Sequence, residues 1–405
     1  MTYLPTTPVP AFRKDIQLSM VIHNGEQQIC AHDTFGYASE EIYLSLQAYS
    51  LIQLFDNCTS VQGLSHKIFG EHTTQENIDF LCNFIGSIDD YGYLESDSFE
   101  QRRRNIEEEY AKATVREPVC AGGAYPSSEQ ELRQYLDTLM AECDVMPGNA
   151  SGIIVPHIDY RVGGSSYPPA FKAIEQSNAD VYIIFATSHY WWGDFFILTE
   201  KDFRTPLGIV KTDTAIVKKI REYYPHYLTN NDMPHKPEHS IELELPFLQY
   251  IRGNSPFTIV PILVTSFHRF MNNKETIEES AEIHDFIYAV RRAVEESGKK
   301  AVYISSGDLS HIGRKFGDKY DAISKLSEAE KADKELLQAL AACDGNTFFR
   351  LIADVRDTWK ICGCSPDYML LQTLQPTRGE IMHYAQWDER ERASAVTFGS
   401  LAFYY

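Results

Sequence analysis

The stretch Val181–His189, VYIIFATSH, decides the fold class, because an unbroken apolar run of the kind found in β-strands ends at a histidine. Two further runs have the same form: Ile153–Val155 lies just before His157, and Ala301–Ser305 lies just before Asp308. In open α/β sheets, ligands bind outside the carboxyl ends of the strands. Three strand ends with a histidine or a carboxylate therefore predict one assembled pocket.

From about Pro118 onward, strand-like and helix-like segments alternate, which is the sequence pattern of a parallel sheet covered by helices. Strands are expected at 153–155, 181–186, 257–264, 301–305 and 396–403. Helices are expected at Ser127–Met140, Thr212–Tyr223, Ser240–Ile251, Thr276–Ser297 and Ala322–Ala342. We therefore expect residues 118–405 to form an α/β domain with a largely parallel central sheet flanked by helices.

Residues 1–110 carry a different pattern. Asn24-Gly25, between apolar stretches at 17–22 and 27–31, suits the type I′ turn of a β-hairpin. Helices are expected over residues 39–54, over residues 59–70 and from Thr74 onward, and residues 89–94 are expected to turn into a short strand. A hairpin, three helices and a wing-like turn predict a small α+β winged-helix-like domain.

The charge of the chain argues against nucleic acid and membranes as partners. The 405 residues carry a formal net charge of −20, and residues 1–110 hold 6 Lys and Arg against 17 Asp and Glu. Affinity for DNA depends on a high density of cationic side chains, and anionic membranes attract the same kind of surface. We therefore expect the first domain to dock a protein or a peptide rather than DNA.

The cellular location also has a sequence signal. No uninterrupted apolar stretch approaches the roughly 20 residues that a bilayer-spanning helix needs. The first residues lack the basic start and apolar core of a secretory signal, and the eight cysteines follow no disulfide pattern. These features predict a cytoplasmic protein in which Cys362 is a thiol.

The residues at the strand ends point to metal chemistry. Taken alone, His157 and His189 are as well explained as hydrogen-bonded loop histidines, and Cys362 as a buried structural thiol. Two imidazoles and one thiolate together would leave coordination positions open on iron, copper or zinc, which is a property of catalytic rather than structural sites.

Four further residues are candidates for the same pocket. Asp308 and His311 are three apart, which on a helical turn would suit a general base with an orienting partner, although Asp308 is also a good helix N-cap. His239, between Glu238 and Ser240, is expected near the site, and Tyr190 is expected to line an aromatic wall.

From residue 121 to the C-terminus the chain resembles the Memo family, and within it the group called AmmeMemoRadiSam system protein B. The motifs that carry the resemblance are Pro156-His157 with Tyr160 and Gly164, Thr187-Ser188-His189, Glu238-His239-Ser240-Ile241-Glu242 with Leu245-Pro246, Asp308-Leu309-Ser310-His311, Ile361-Cys362-Gly363 and Tyr384-Ala385-Gln386. The resemblance implies a fold similar to class III extradiol dioxygenases, which are non-heme iron enzymes. It implies His157, His189 and Cys362 as ligands of iron, with copper or zinc as alternatives, and Asp308 and His311 beside the metal.

The chain departs from the family pattern at the pocket. Ile158-Asp159 stands where the family has two small residues, Arg161 follows, and Tyr190 replaces the second of two adjacent histidines. We therefore expect Asp159, Arg161 and Tyr190 to shape the substrate pocket. The first domain resembles the winged-helix domains that hold precursor peptides for radical-SAM enzymes, which implies a radical-SAM partner protein.

Three functions remain open on this sequence. The first is a non-heme iron or copper oxidoreductase acting on an unknown small molecule or peptide. The second is a non-catalytic protein that binds a peptide or partner within a radical-SAM system. The third is a metal-dependent hydrolase with Asp308 or His311 as the base.

Overall fold

The structure, a computed structural model, describes residues 2–56, 59–191, 193–272 and 275–405. The chain divides into two compact units, Met1–Lys112 and Ala113–Tyr405. Within the described residues, no helix is long and apolar enough to cross a membrane.

The first unit combines a small antiparallel sheet with a group of helices. Its strands are β1 (Gln17–His23), β2 (Glu26–His32) and β3 (Ile42–Leu44), in the order β1-β2-β3. Its helices are α1 (Leu46–Ile52), α2 (Val61–Phe69), α3 (Gln75–Tyr91) and α4 (Asp97–Lys112). One apolar core, which includes Ile29, Leu64 and Leu81, joins the sheet to the helices.

The predicted hairpin is confirmed. Strands β1 and β2 pair antiparallel around Asn24 and Gly25, whose φ angles of 52° and 80° are the left-handed pair that a type I′ turn requires. The helix predicted from residue 39 is wrong over its first part. Ile42–Leu44 pairs with β2 as strand β3, and α1 begins only after Ser45, which caps it by accepting a hydrogen bond from the Ala48 N–H.

The segment after the third predicted helix also differs from the prediction. Helix α3 continues to Tyr91 and ends at Gly92, whose φ of 91° is a left-handed cap. Leu94 then makes a single antiparallel bridge with Phe12, so the described residues form no strand at the expected wing. The likeness to a winged helix stays a prediction.

The second unit is built on one large sheet with helices on both faces. Its strands are β4 (Val115–Arg116), β5 (Gly152–Val155), β6 (Val181–Thr187), β7 (Phe196–Leu198), β8 (Asp202–Thr205), β9 (Gly208–Thr212), β10 (Thr258–Val264), β11 (Ala301–Ser306), β12 (His311–Gly313), β13 (Arg378–Glu389) and β14 (Ser394–Tyr404). Its helices are α5 (Glu129–Ala141), α6 (Tyr160–Gly163), α7 (Tyr167–Ile174), α8 (Thr214–Tyr223), α9 (Leu245–Arg252), α10 (Ala281–Ser297), α11 (Leu326–Ala341), α12 (Gly345–Asp354) and α13 (Cys364–Leu374).

The centre of the sheet is parallel, as predicted. The order is β12-β14-β5-β11-β6-β10-β9-β8-β4, with β13 on β14 and β7 on β10. Neighbours from β5 to β9 run parallel, whereas β14 joins β5 antiparallel and pairs with β13 in a long hairpin. The mixed outer strands could not be read from the alternation of strands and helices, because hairpins carry no connecting helix.

Strand β6 shows why the fold needs helices on both faces. Val181, Ile183 and Phe185 pack into a core with helices α8 and α10–α13, while the residues between them pack into a second core with α5, α7 and α9. All six residues from Val181 to Ala186 are buried. A strand that is covered on both faces does not need alternating apolar and polar residues, which explains the unbroken apolar sequence of β6.

Helix starts were the least accurate predictions. The helix expected from residue 240 begins at Leu245 after a 3-10 turn, with Pro246 in its first turn, where a missing N–H costs nothing. The helix expected from Thr276 begins at Ala281, and helix α13 was not predicted.

Candidate metal centre

The candidate site lies at the carboxyl ends of three neighbouring strands. In the sheet, β11 lies between β5 and β6, and Ser306 at its end pairs with both Val155 and Ala186. The three strands therefore end at one level, so the residues that follow them, His157, Asp308 and His189, come together. The parallel register explains why positions far apart in sequence share one pocket.

His157 is held in one orientation by a buried serine. Its Nδ1 lies 3.3 Å from Ser306 Oγ, and that hydroxyl donates its own proton to the carbonyl of Ser240 at 2.6 Å. The hydroxyl must therefore accept from Nδ1–H of His157, which leaves the lone pair on Nε2. Nε2 lies 3.3 Å from the Sγ of Cys362.

His189 is oriented by a buried carboxylate. Glu238 accepts from the His189 backbone N–H at 2.7 Å and contacts Nδ1 of the same residue at 2.9 Å. It also accepts from the backbone N–H groups of His239 and Ser240 at 3.0 and 3.2 Å. Burial alone would raise the pKa of Glu238, but the electrostatic interactions and side-chain hydrogen bonds with the His189 and His239 imidazoles outweigh it and hold the pKa well below its usual value. An ionised Glu238 keeps Nδ1 of His189 protonated, so Nε2 is free to bind a metal.

Cys362 reaches the same point from the turn before α13. Its Sγ accepts from the backbone N–H of Asp308 at 3.0 Å, and its carbonyl accepts from the Thr187 hydroxyl at 2.8 Å. Burial, with the charge of Asp308, raises the pKa of the Cys362 thiol well above its ordinary value. A nearby cation is therefore needed to make this sulfur a thiolate at neutral pH.

Asp308 and His311 complete the polar side of the pocket. The helical turn expected between them is absent, because His311 begins strand β12. Asp308 Oδ1 accepts from the backbone N–H of His157 at 3.1 Å, and burial raises the pKa of this carboxyl to about 7 despite that bond. Burial lowers the pKa of His311 to about 4, so this imidazole is neutral at physiological pH.

The remaining predicted pocket residues divide into two groups. The His239 ring stacks on His189, with centroids 4.8 Å apart, and Tyr190 lies 6.0 Å from His189. Asp159 and Arg161 instead pair with each other, and the Arg161 side chain is 65% exposed. Asp159 also caps α6 through the backbone N–H of Arg161, which gives this carboxylate a local structural role.

Among the residues that the structure describes, donor atoms suited to a metal form three overlapping sets, each with its atoms within 4.8 Å of one another. The sets are His157, His189 and Cys362; His189, Glu238 and His239; and Asp308, His311 and Cys362. Glu238 is already saturated by hydrogen bonds, so the set that contains it has the least free capacity for an ion. Two imidazoles and one sulfur suit iron, copper or zinc, so the residues present fit a transition metal.

A cavity of about 200 Å³ borders the site on the side of Cys362. Thr187 and Ser188 line it from β6, and Phe267 and His268 line it from the segment after β10. Its walls combine apolar side chains and hydroxyl groups with the charged residues Asp357 and Lys360, which suits a small polar organic molecule.

Sequence reasoning missed the residues that support the ligands. Ser306 fixes His157 and Glu238 fixes His189, as described above. Glu242 connects the segment that carries Glu238 to the start of the second unit. It is fully buried, pairs with Arg116 and accepts a hydrogen bond from the Cys120 backbone N–H at 2.8 Å. In the sequence, the signal for these carboxylates was the pair Glu238 and Glu242, four positions apart and next to His239. Only their burial in the structure distinguishes them from acidic residues on the surface.

Comparison with known proteins identifies the family of the chain. A family model described as a Memo-like protein matches residues 116–402. The chain belongs to the Memo family. A MEMO1 family protein of Methanococcoides burtonii is 31% identical over 236 residues, which cover 58% of this chain and 79% of that protein.

The sequence similarity to another relative extends beyond residues 116–402. A MEMO1 family protein of Aquifex aeolicus is 26% identical over 360 residues, covering 87% of this chain and 90% of that protein. Such a match is longer than Ala113–Tyr405, so the similarity extends into the first unit. Residues of the Memo-like part and at least some of the first unit therefore occur together in that protein.

Proposed function

We propose that this Memo family chain is a metal-dependent oxidoreductase that holds iron, or alternatively copper, through His157, His189 and Cys362. Zinc at the same position would suit the hydrolase instead. The observation that carries the proposal is the arrangement of the three donors. Both imidazoles have Nδ1 engaged by a buried acceptor, and Nε2 of His157 lies 3.3 Å from Cys362 Sγ. Such fixed tautomers are typical of metal-ligating histidines.

The remaining groups support redox chemistry on a small substrate. Bound iron would supply a Lewis-acidic, redox-active centre with positions open to substrate. Asp308, with a pKa of about 7, is suited to accept and return a proton at neutral pH. The cavity beside Cys362 is the proposed substrate site, and a fold like that of class III extradiol dioxygenases belongs to the same proposal.

Metal analysis of the anaerobically purified protein tests the metal site. We expect bound iron, copper or zinc in the wild type, no bound metal in Cys362→Ser, and less metal per chain in His189→Gln than in the wild type. Cys343→Ser is the matched control, because this cysteine lies between α11 and α12 and outside the three donor sets. A wild type that stays metal-free after reconstitution would rule the proposal out.

The dependence of turnover on dioxygen distinguishes the oxidoreductase hypothesis from the hydrolase hypothesis. A hydrolase would use Asp308 to deprotonate a metal-activated water, and it would turn over esters or amides equally with and without dioxygen. We expect turnover to require dioxygen or another oxidant. Oxygen-independent hydrolysis in such a panel would favour the hydrolase.

We also propose a docking role for the first unit, based on its exposed edge strand. Strand β1 is at the edge of its sheet, and Leu18, Met20 and Ile22 along one face of it are 40, 61 and 82% exposed. An apolar edge strand can pair with an extended segment of another chain. The acidic unit favours a basic segment of a partner, such as a peptide substrate or a radical-SAM protein.

Peptide binding to the full-length protein tests the docking role. We expect extended Lys- and Arg-rich peptides to bind more tightly than acidic peptides of equal length, and to lose affinity in salt. The triple change of Leu18, Met20 and Ile22 to Ser should weaken binding at least tenfold. Met146→Ser, which alters an 80% exposed side chain in the second unit, should not. Equal binding by the triple variant would exclude this edge.

A further inference from the structure

A second set of metal-capable donors lies beside the first one. One donor atom each from Asp308, His311 and Cys362 lie within 4.8 Å of one another. This set shares only the Cys362 sulfur with the set formed by His157 and His189. Among the described residues, the donor atoms of His157, His189, Cys362, Asp308 and His311 do not all lie within 4.8 Å of one another. A single ion therefore does not contact all five donors in the present geometry.

His311 has the hydrogen bonds of a metal ligand rather than those of a free base. Its Nδ1 lies 3.1 Å from the carbonyls of both Leu309 and Lys360. Carbonyl oxygens only accept, so Nδ1 carries the proton and Nε2 carries the lone pair. Histidines that bind metals commonly donate their other N–H to a carbonyl in this way. The Phe316 ring, 5.0 Å away and edge-on, packs against the imidazole.

Asp308 and Cys362 are connected through the backbone. The Asp308 N–H donates to Cys362 Sγ at 3.0 Å, and the Gly363 N–H donates to the Asp308 carbonyl at 2.9 Å. Asp308 Oδ1 takes the His157 backbone N–H, while Oδ2 lies 3.9 Å from His157 Nε2. Within the part of the chain that the structure describes, no Lys or Arg forms an ion pair with Asp308.

We infer that Asp308, His311 and Cys362 form a second cation position, so that the pocket holds two metal ions bridged by the Cys362 sulfur. One carboxylate, one imidazole and one thiolate suit a divalent first-row transition ion such as Fe²⁺ or Zn²⁺. The bridging role rests on the proposed function, which places the first ion on His157 and His189. Asp308 and His311 then act as ligands whenever the second ion is bound.

Metal stoichiometry separates this inference from the proposed function. The full-length protein is reconstituted anaerobically with Fe²⁺ and separately with Zn²⁺, desalted, and assayed for metal per chain. We expect two ions in the wild type and one in Asp308→Asn and in His311→Gln. His189→Gln should also keep one ion, at the second position. Cys343→Ser, which lies outside all three donor sets, should keep two.

Three other outcomes would overturn the second metal position. One ion in the wild type, retained by Asp308→Asn and His311→Gln, overturns the second position and leaves the proposed function intact. Two ions in both of these variants place the second ion elsewhere and also overturn the inference. No ion in the wild type overturns both. Two different substitutions at the second position, each checked for folding by thermal unfolding, guard against loss of metal through misfolding.

Discussion

At the scale of single residues, the geometry of the candidate site depends on side chains other than the three proposed ligands. Ser306 and Glu238 each hold one nitrogen of a histidine, which leaves the other nitrogen aimed at the pocket. Motifs at the strand ends and the resemblance to the Memo family predicted His157, His189 and Cys362 as metal ligands. The supporting serine and glutamate are common residues, so only their burial and contacts reveal their roles.

Glu238→Gln should weaken metal binding without removing a ligand. The amide offers one acceptor oxygen in place of two and adds an N–H group among backbone donors, so His189 loses its fixed orientation. Loss of such an orienting partner costs about 10- to 100-fold in metal affinity. Competition titration with a chelator of known affinity measures this, with Glu129→Gln on α5 as control. Unchanged affinity would show that Glu238 does not position His189.

Asp367, a buried carboxyl close to Asp308 and Cys362, predicts a pH dependence of stability. Burial raises the pKa of its carboxyl to about 8, and Oδ1 accepts from the Ser305 hydroxyl at 2.5 Å. The folded protein thus holds a proton that the unfolded chain loses near pH 4, so Asp367 costs stability progressively as the pH rises from about 4 to 8. At low pH, where both states are protonated, this cost is absent.

Asp367→Asn should therefore stabilise the metal-free protein increasingly with pH. The amide keeps an acceptor oxygen for Ser305 and cannot ionise. One pKa unit corresponds to about 1.4 kcal/mol, so we expect a gain on the order of 2 kcal/mol or more in the free energy of unfolding at pH 8 relative to pH 5. Urea denaturation at several pH values measures it, and a gain independent of pH would contradict the assignment.

At the scale of elements, the site depends on how closely two chain segments approach. A Cβ added at Gly307, just after β11, would lie 2.3 Å from the Gly363 Cα. Backbone atoms cannot yield as a flexible side chain does, so this close contact requires glycine. It holds the turn that carries Cys362 against the end of β11, where Asp308 follows.

Gly307→Ala should reduce metal affinity by displacing this turn. We expect Cys362 to move away from His157, with at least a tenfold loss of affinity although every donor remains. Gly123→Ala is the matched control, because its added Cβ would meet only the Cys120 carbonyl at an ordinary 3.5 Å. Chelator titration of both variants measures their metal affinities. An affinity of Gly307→Ala equal to that of Gly123→Ala would show that the turn adapts to the added methyl group.

The elements themselves were predicted with uneven success, for physical reasons. Strands buried on both faces, such as β6, were found because burial dictates an unbroken apolar run. Strand β3 was mistaken for helix because Ile42 and Leu46 share a helical spacing, and pairing with β2 outweighs that pattern. The grouping of donors followed from strand ends, but the sharing of Cys362 between two sets depends on a turn that no local pattern specifies.

At the scale of the whole molecule, each unit has its own apolar core, so each should unfold in its own transition. The core of the first unit draws on residues up to Leu94, and the two cores of the second begin at Tyr125. A ligand stabilises only the structure that binds it, by about 2.7 kcal/mol at a free concentration of 100 times its Kd.

Metal should therefore shift one of the two thermal transitions. All of the candidate donors lie in Ala113–Tyr405, so added Fe²⁺ or Zn²⁺ should raise the Tm of that unit, and a chelator should reverse the rise. The transition of Met1–Lys112 should not move. Differential scanning calorimetry of the full-length protein measures both transitions. Cys362→Ser should abolish the shift because it removes the sulfur common to the two proposed metal positions. A single transition that shifts as a whole would show that the two units unfold together.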